Sequence, residues 1–385
     1  MLLEPNETQA LVARTARDFV ERAIRPVASE LDREGRFPKE ILKGLADLGM
    51  MGVNLPSELG GAEAGVVAYA LAMIEVARGC ASTAVTMSVT NMVGEVIHAF
   101  GTDAQRHKHI PQLTSGAYAA GAFALSEPEA GSDPGAMRTV ATKVDGGWSL
   151  TGQKQWITSG AYAGVLIVWA RTGAPTALPG GGGTRGITCF LVEGGAKGLV
   201  PGKPEDKMGL RASNTVPLEL DGVLVADDAV LGDIGGGFRI AMMALDGGRI
   251  GIASQAIGIA TAALDEAARY ARERKQFGKP IADFQAIQWM IADCKVELEA
   301  SRMLTLRAAW LKESGKPFAQ EAAMAKLYAS EAANRICARC FQVHGGYGYV
   351  KEFAIERHLR DARVTTIYEG TSEIQRIVIA RGALK

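Results

Sequence analysis

Residues 284–313, with the sequence FQAIQWMIADCKVELEASRMLTLRAAWLKE, show most clearly how this chain folds. Apolar side chains recur every three or four residues, at Ile287, Met290, Ile291, Cys294 and Leu298. That period places them on one face of an α-helix. The segment Gly315-Lys316-Pro317 breaks the pattern, and a second helical pattern follows over residues 319–343. Two long helices joined by a short polar break predict an antiparallel bundle, here over residues 231–385.

The first part of the chain also carries helical patterns. Residues 7–28 repeat apolar side chains at helical spacing. Residues 42–49 predict a short helix with Gly49 as its C-terminal cap. Residues 66–78 and 83–100 are apolar enough to form buried helices. We therefore predict an N-terminal α-helical domain over residues 1–117.

The middle of the chain has strand patterns instead. Residues 148–152 follow the turn Gly146-Gly147, which is a hairpin signal. Residues 164–170 and 187–193 are short apolar runs typical of buried strands. The glycine run at residues 180–183 predicts a surface hairpin tip, because no Lys-Ser/Thr pair follows it as in a phosphate loop. The chain is thus predicted to be an α+β protein, with a β-domain over residues 118–230 between the N-terminal helical domain and a C-terminal four-helix bundle.

Composition and charge argue against several classes of protein. The 385 residues are 48% hydrophobic, and Lys+Arg equals Asp+Glu at 42 each, so nothing indicates nucleic acid or a membrane as a partner. The N-terminus has no signal-peptide or transit-peptide pattern, which favours a cytoplasmic bacterial protein. The five cysteines predict reduced thiols and no metal site, because the lone Cys337/Cys340 pair is too few ligands for zinc. His107 and His109 are predicted to be surface residues.

Three motifs carry residues suited to chemistry. Residues 368–373, YEGTSE, place the Glu369 carboxylate beside a glycine in a predicted turn, where a base could act on a ligand close to the backbone. Residues 124–133, ALSEPEAGSD, combine small residues and hydroxyls with a glycine, so a ligand could approach the backbone and form hydrogen bonds there. Residues 342–349, QVHGGYGY, predict a bend that could admit a flat ring or a pyrophosphate. Each motif alone also fits an ordinary turn, and Glu369 alone fits a solvated loop residue.

In this order, the motifs resemble those of the acyl-CoA dehydrogenase flavoprotein family over essentially the full length of the chain. The resemblance also rests on Trp156-Ile157-Thr158 and on RKQFG at residues 274–278. The short-chain, butyryl-CoA branch is the most similar. The resemblance implies two α-helical domains flanking a β-domain, with FAD between the β-domain and the C-terminal bundle. It also implies a homotetramer, arranged as a dimer of dimers.

The resemblance implies binding residues for two ligands. For FAD they are Phe123, Leu125, Ser126, Trp156, Thr158, Arg274, Gln276, Phe277, Phe284, Gln285, Gln342, Val343, Gly345, Gly346, Thr371 and Glu373. For acyl-CoA they are Ser132, Asp246, Arg249, Gln255, Thr365 and Gly370. Ser126 and Thr158 would bond the polar edge of the flavin ring. Arg274 would pair with the pyrophosphate of an FAD across a subunit contact.

The resemblance further implies FAD-dependent dehydrogenation of a short-chain acyl-CoA to the trans-2-enoyl-CoA. Glu369 would abstract the α-proton, and burial would raise its pKa from about 4.3 toward the working pH. Hydrogen bonds to the thioester oxygen would stabilise the enolate. The flavin would accept the β-hydride, and electrons would pass to electron-transfer flavoprotein. Some relatives carry their base at the position of Gly248, where this chain has no carboxylate.

The acyl group is predicted less sharply. By resemblance, Gln255 and Thr365 shorten the acyl pocket and favour a C4 chain. Relatives that act on dicarboxylates have an arginine near the position of Ala84. Its absence here argues against a dicarboxylate substrate. Dehydrogenation of isobutyryl- or 2-methylbutyryl-CoA in amino-acid catabolism is the alternative, because one methylene changes specificity by only about 1–3 kcal/mol. An oxidase would resemble longer relatives with an extra C-terminal domain, and a non-catalytic binding protein would be expected to lack Glu369.

Overall fold

The computed structural model describes residues 4–172 and 183–384. Its first part is helical: α1 (Glu7–Phe19), α2 (Ala28–Glu34), α3 (Lys39–Asp47), α4 (Val66–Gly79), α5 (Ala81–Phe100) and α6 (Asp103–Thr114). Asn6 and Thr102 cap α1 and α6, so the first free N–H groups of these helices are bonded. Gly49 follows α3 with a φ of 74°, which confirms the predicted glycine cap. α4 and α5 are buried along most of their length, as predicted.

The single helix predicted over residues 7–28 is wrong in its second half. The α-helix ends at Phe19, a π-helical turn spans Val20–Ile24, and a 3-10 turn spans Arg25–Val27. Pro26 explains the interruption, because its nitrogen has no proton to donate to the preceding turn. Val20 and Ile24 remain buried, so the apolar period continues through the irregular segment and hides it in the sequence.

An eight-stranded sheet follows in the described part of the chain. Its strands are β1 (Ala120–Ala124), β2 (Val140–Val144), β3 (Gly147–Thr158), β4 (Ala163–Arg171), β5 (Ile187–Glu193), β6 (Leu199–Pro201), β7 (Thr215–Ala226) and β8 (Val230–Leu231). The main path runs β6-β7-β3-β2-β4-β5-β8. β1 pairs in parallel with β4, and β3 pairs antiparallel with both β2 and β7. β1 and β3 therefore run in opposite directions, and the segment after β1 lies beside β3, where Gln155 N donates to the Ser126 carbonyl.

The predicted hairpin and the two predicted buried strands are confirmed. Gly146, with a φ of 70°, connects β2 to β3. Alternate side chains of β4 enter two cores, because Ile167 and Trp169 pack with the helices while Leu166 and Val168 pack within the β-domain. Burial on both faces explains the continuous apolar run in this strand. The glycine run predicted as a hairpin tip lies outside the described residues, apart from its last glycine.

Helices form the rest of the described chain. They are α7 (Gly237–Glu273), α8 (Gln285–Glu313), α9 (Ala319–His344), α10 (Ile355–Arg363) and α11 (Ser372–Ala383), with a hairpin of β9 (Lys275–Gln276) and β10 (Lys279–Pro280) after α7. α8 and α9 confirm the two predicted long helices, and Gly315 lies at the break between them. α7 packs against α4, α5, α8 and α9, so its middle is buried on all sides.

This order of helices, sheet and helices confirms the predicted α+β architecture. The five cysteines are buried free thiols. Every helix in the described residues is too short or too polar to cross a membrane.

His109 contradicts its prediction as a surface residue: it is only 3% exposed. It lies on the inner side of α6, where it packs near Tyr118. The spacing of the histidines does not show which face of α6 meets the core, and this explains the wrong prediction.

Arg360 on α10 ties the N-terminal helices to the C-terminal ones. Its guanidinium donates to both carboxylate oxygens of Asp32, at 3.1 and 2.7 Å, and to both of Glu356, at 2.6 and 2.8 Å. It also donates to the Met208 carbonyl at 3.1 Å. A planar fork of donors is needed for such paired contacts, so lysine could not replace this residue fully.

We expect Arg360→Met to lower the free energy of unfolding by about 2 kcal/mol, because Asp32 and Glu356 would keep their charges in a partly buried site. Urea denaturation followed by circular dichroism would measure the loss. Arg376→Met is the matched control, since the exposed pair of Arg376 with Glu331 should contribute about 0–1 kcal/mol. Equal losses in the two variants would contradict the prediction.

Candidate active site

The Glu369 side chain leaves a turn with an unusual backbone. Glu369 has a φ of 53° and Gly370 a φ of 86°, both in the left-handed region. A residue with a side chain is strained there, and such residues cluster at functional sites. Thr371 then caps α11, where its hydroxyl accepts a hydrogen bond from Ile374 N at 3.3 Å. The strained pair and the cap together fix the direction in which the carboxylate points.

The Glu369 carboxylate packs against a position of α7 that has no side chain. A β-carbon at Gly248 would lie 2.7 Å from Glu369 Oε2 and 3.1 Å from the Met92 sulfur. Only glycine leaves room there for the carboxylate. Oε2 is buried and has no hydrogen-bond partner among the described residues. A buried polar atom without a partner is costly, which makes this oxygen a candidate functional atom.

Burial and neighbouring positive charges act on the pKa of Glu369 in opposite directions. Burial raises the pKa of Glu369 to about 7, and the positive charges of Arg249 and Lys326 oppose that rise. Arg249 is 5% exposed and forms a salt bridge with Asp246, one turn earlier on α7. A carboxyl group that titrates near neutral pH can both take up and release a proton, as a general base must.

One face of α7 leads away from the Glu369 carboxylate. Gly248, Gly251 and Gln255 follow one another at three- and four-residue steps, so they share that face. A β-carbon at Gly251 would lie 2.4 Å from the Ser88 hydroxyl and 2.7 Å from the Tyr69 hydroxyl. With a rise of 1.5 Å per residue, Gln255 lies about 10 Å along the helix from Gly248. The face is therefore bare near the carboxylate and polar at its far end.

Gln255 and Thr365 are both fully buried near the turn that carries Glu369. Gln255 donates to the Ala81 carbonyl at 2.8 Å and accepts a hydrogen bond from the Tyr368 hydroxyl. Thr365 donates to the Ala362 carbonyl at 2.7 Å, within the turn that precedes Tyr368. Both predicted acyl-pocket residues thus lie near Tyr368. Gln255 bonds its hydroxyl, and Thr365 lies in the turn before it.

A second group of predicted residues lies on the sheet. Phe123 is half-buried in β1, and Ser126 follows that strand. The Ser126 carbonyl accepts a hydrogen bond from Gln155 N at 2.9 Å, so the segments of Ser126 and Trp156 lie side by side. Trp156 is 61% exposed with a φ of 64°, and Thr158 is half-buried at the end of β3. An exposed tryptophan held by the sheet offers a flat surface for a ring.

A buried ion pair holds the loop after β1 in place. Lys154 is fully buried and donates to Glu127 at 2.8 Å and to the Leu125 carbonyl at 3.3 Å. Glu127 also accepts from Thr139, through its N–H at 3.0 Å and its hydroxyl at 2.5 Å, and from Arg138 N at 2.5 Å. The side chain of Leu125 is itself buried in the helical core. This network fixes the backbone of the loop that carries Ser126.

A third group of predicted residues lines an open groove of about 890 Å³ near the C-terminal end of α7. The groove lies between that end, the β9–β10 hairpin, the start of α8 and the end of α9. Its lining includes the predicted cofactor residues Arg274, Gln276, Phe277, Phe284, Gln342, Val343, Gly345 and Gly346. Gln285 is exposed at the start of α8 and is not among the lining residues.

The groove combines a cation, aromatic rings and open backbone. The Arg274 guanidinium lies 5.3 Å from the centre of the Tyr347 ring. Phe277 is 94% exposed at the tip of the β9–β10 hairpin, and its ring stands edge-on to Phe284. Apart from their chain neighbours, no described residue has an atom within 4 Å of where β-carbons would stand on Gly345-Gly346. Such a surface suits a flat ligand that carries an anionic group.

The remaining predicted residues lie around the Glu369 turn or on the surface. Asp246 and Thr371 are half-buried, and Gly370 follows Glu369 directly. Ser132 and Glu373 are exposed. The structure therefore brings Arg249, Gln255, Thr365 and Gly370 close to Glu369.

Sequence reasoning missed Lys326 and His344. Lys326 is fully buried on α9, and its Nζ donates to the Gly370 carbonyl at 2.7 Å. It stands among alanines at helical spacing, which indicates a buried helix face but not a contact with the Glu369 turn. His344 is 2% exposed and lines the groove, and its Nε2 has no partner among the described residues.

Known proteins share this sequence and arrangement. Family models described as acyl-CoA dehydrogenase N-terminal, middle and C-terminal domains match residues 6–117, 122–223 and 235–384. The chain is 49% identical over 385 residues to the mitochondrial short-chain specific acyl-CoA dehydrogenase of Bos taurus, covering 100% of this chain and 92% of that protein.

Two solved structures are similar as well. Butyryl-CoA dehydrogenase from Megasphaera elsdenii has a TM-score of 0.96 and 42% identity, with 100% of both chains covered. Glutaryl-CoA dehydrogenase from Mycobacterium smegmatis, in complex with FADH₂, has a TM-score of 0.92 and 30% identity, with 98% of this chain and 95% of that chain covered. Because these matches extend over nearly all of the sequence, the chain belongs to the acyl-CoA dehydrogenase family.

Proposed function

We propose that this acyl-CoA dehydrogenase removes the α and β hydrogens of a short unbranched acyl-CoA, such as butyryl-CoA, to give the trans-2-enoyl-CoA. One observation carries the proposal. The Glu369 carboxylate has a buried oxygen without a partner in the described chain, and it faces bare backbone of α7. A base so placed has both the room and the pKa to take a weakly acidic proton.

FAD is the cofactor of this protein. We infer that the groove residues hold its pyrophosphate end, with Arg274 as the cation and Gly345-Gly346 as the close backbone. Trp156, Ser126 and Thr158 would face the flavin ring. When bound, FAD supplies the acceptor for the β-hydride. The chemistry of both surfaces fits this cofactor, because one is flat and aromatic while the other joins a guanidinium to open backbone.

The chain's own residues handle the proton and the negative charge. Glu369 would take the α-proton on the free Oε2 and hold it there. Arg249 and Lys326 keep positive charge near the carboxylate, so part of it is ionised near pH 7. We place the thioester oxygen on the Glu369 N–H, where a fixed donor would stabilise the enolate. Burial of the site strengthens each of these contacts.

We propose that Gln255 closes the far end of the acyl pocket and so excludes longer acyl chains. Its side chain fills the far end of the bare α7 face and is held there by Ala81 and Tyr368. The alternative substrate is a short branched acyl-CoA. The width of the pocket would decide between the two substrates, and we place the Ser88 and Tyr69 hydroxyls, which lie beside Gly251, at its side.

We expect Gln255→Ala to raise the ratio of kcat/KM for hexanoyl-CoA over butyryl-CoA about tenfold or more, because each methylene accommodated is worth about 1–3 kcal/mol. Steady-state kinetics with both substrates would measure the ratio. Ser254→Ala is the control, because Ser254 is equally buried but its hydroxyl donates to the Ile250 carbonyl of its own helix. An unchanged ratio in Gln255→Ala would show that Gln255 does not close the end of the pocket.

We also infer a homotetramer in which each groove completes the cofactor site of a neighbour, and an electron-transfer flavoprotein as electron acceptor. The 94% exposure of Phe277 supports the first, because an apolar ring at a hairpin tip is suited to a partner surface. Light scattering and reduction of added electron-transfer flavoprotein would test the two inferences. The cytoplasmic location and the predicted domain boundaries remain predictions.

Anaerobic bleaching of the bound flavin tests the proposed function directly. Butyryl-, isobutyryl-, 2-methylbutyryl-, hexanoyl- and octanoyl-CoA would each be mixed with the flavin-loaded enzyme. We expect fast bleaching with butyryl-CoA and weak bleaching with octanoyl-CoA. A preference for a branched substrate would support the alternative, and no bleaching by any of the five would overturn the proposed reaction.

A further inference from the structure

Lys326 is a buried cation placed behind the turn that carries Glu369. Its side chain is 0% exposed, and its Nζ donates to the Gly370 carbonyl at 2.7 Å. Gln375 Nε2 donates to the same oxygen at 2.8 Å and to the Glu369 carbonyl at 3.2 Å. The two lone pairs of the Gly370 carbonyl are therefore both engaged. This double contact holds the peptide group between Gly370 and Thr371, at the end of the turn that carries the base.

The ammonium of Lys326 has no carboxylate within 4.0 Å among the described residues. In this it resembles the partly buried Lys207, which donates to the Ser213 carbonyl, and differs from two other lysines. Lys154 pairs with Glu127, and Lys312 pairs with Glu95. A buried charge without an ion-pair partner costs several kcal/mol of desolvation. A neutral side chain could make the same hydrogen bond to a carbonyl at lower cost. The retained charge therefore points to a role beyond supporting the turn.

We propose that Lys326 is a positioning residue for the dehydrogenation: its ammonium holds the left-handed Glu369-Gly370 turn and supplies positive charge behind the Glu369 carboxylate. The inference rests on the proposed function, because it assigns to Lys326 a part in preparing the base of that reaction. It differs from the role of Arg249, which lies on α7 and is already paired with Asp246.

Charged and titratable groups face the carboxylate from several elements. They are Arg249 on α7, Lys326 on α9, Tyr69 on α4 and Tyr368 beside it in the turn. Glu373 on α11 and Glu331 on α9 are additional charges near Lys326. Burial lowers the pKa of Lys326 to about 8, and the Glu369 charge opposes that fall. Each of the two groups thus favours the charged form of the other.

Three variants separate charge from geometry. Lys326→Met removes both the charge and the hydrogen bond, while Lys326→Gln removes the charge and keeps a donor. Gln375→Met removes neutral hydrogen bonds to the same turn and no charge. An infrared titration of the protonated carboxyl band, with Glu369→Gln as the blank, reports the pKa of Glu369 without turnover. The pH dependence of flavin bleaching by butyryl-CoA is the second measurement.

We expect both Lys326 variants to move the infrared midpoint of Glu369 up by about one pH unit, since loss of an opposite charge disfavours the carboxylate. Bleaching at pH 7 should fall about fivefold and recover at higher pH, because the ionised fraction falls from about a half to about a tenth. Gln375→Met should leave the midpoint unchanged.

An unchanged midpoint in both Lys326 variants would overturn the inference, whatever happens to thermal stability. Failure of both variants to fold would overturn it too, because Lys326 would then be a structural support first. The proposed dehydrogenation and the proposed role of Lys326 can be rejected independently. Shifted midpoints together with no bleaching of the wild-type enzyme by any acyl-CoA would reject the proposed reaction and keep the link between Lys326 and Glu369.

Discussion

Glu369→Gln should keep its bound flavin and bind butyryl-CoA, yet reduce the flavin about 10²- to 10⁴-fold more slowly than the wild-type enzyme. The amide has the shape of the carboxylate but cannot take the α-proton. Gly248 leaves the same space beside it, so no repacking is needed. Anaerobic stopped-flow bleaching with butyryl-CoA would measure the rate, and the rate of the wild-type enzyme should rise with pH through about 7.

Two checks make this prediction specific. Glu299→Gln replaces an exposed glutamate on α8 and should reduce the flavin at the wild-type rate. Glu369→Gln should also gain stability relative to the wild type as the pH rises above about 4.3, because the raised pKa means that ionising Glu369 disfavours the folded state. Near-normal flavin reduction in Glu369→Gln would refute the assignment of the base.

Lys154→Met should lower the free energy of unfolding by about 3–5 kcal/mol, because Glu127 would be left as a buried charge without its partner. The loss should be the largest of the charge-removing substitutions considered, since both members of the pair are nearly inaccessible to water. Urea denaturation would measure it. We also expect weaker retention of flavin, because the network fixes the loop of Leu125 and Ser126.

The control for this effect is Lys143→Met in the same sheet. Lys143 pairs with Asp227 on the surface, where both side chains are more than half exposed, so its loss should be about 0–1 kcal/mol. The double variant Lys154→Met with Glu127→Gln should recover part of the stability, because no charge is then left unpaired and the amide oxygen can still accept from Thr139 and Arg138. A Lys154→Met protein as stable as Lys143→Met would contradict the interpretation.

The sequence pattern predicted regular elements well where the apolar period was simple. α8, α9, β4 and β5 appear where their runs of side chains indicated them. The π-helical turn after Phe19 was missed, because burial of Val20 and Ile24 keeps the period intact while hydrogen bonds change. His109 was misplaced because spacing shows which residues share a helix face but not which face meets the core.

The site shows the same division. Motifs and family resemblance singled out Glu369, Arg249 and Gln255, and the structure brings these three residues together beside α7. Lys326 was missed, because 43 residues separate it from Glu369 and no local pattern links a lysine in an alanine-rich helix to a distant turn. Its contact with the Gly370 carbonyl arises from the packing of α9 against α11.

The sequence by itself determined the order of helices and strands, the family and the identity of the candidate base, since these depend on residue types and their spacing along the chain. Only the tertiary structure decided that the base has a buried oxygen facing Gly248, without a partner in the described part of the chain, and a buried cation behind its turn. Burial and charge proximity depend on which distant segments meet in space, and those quantities set the pKa on which the chemistry depends.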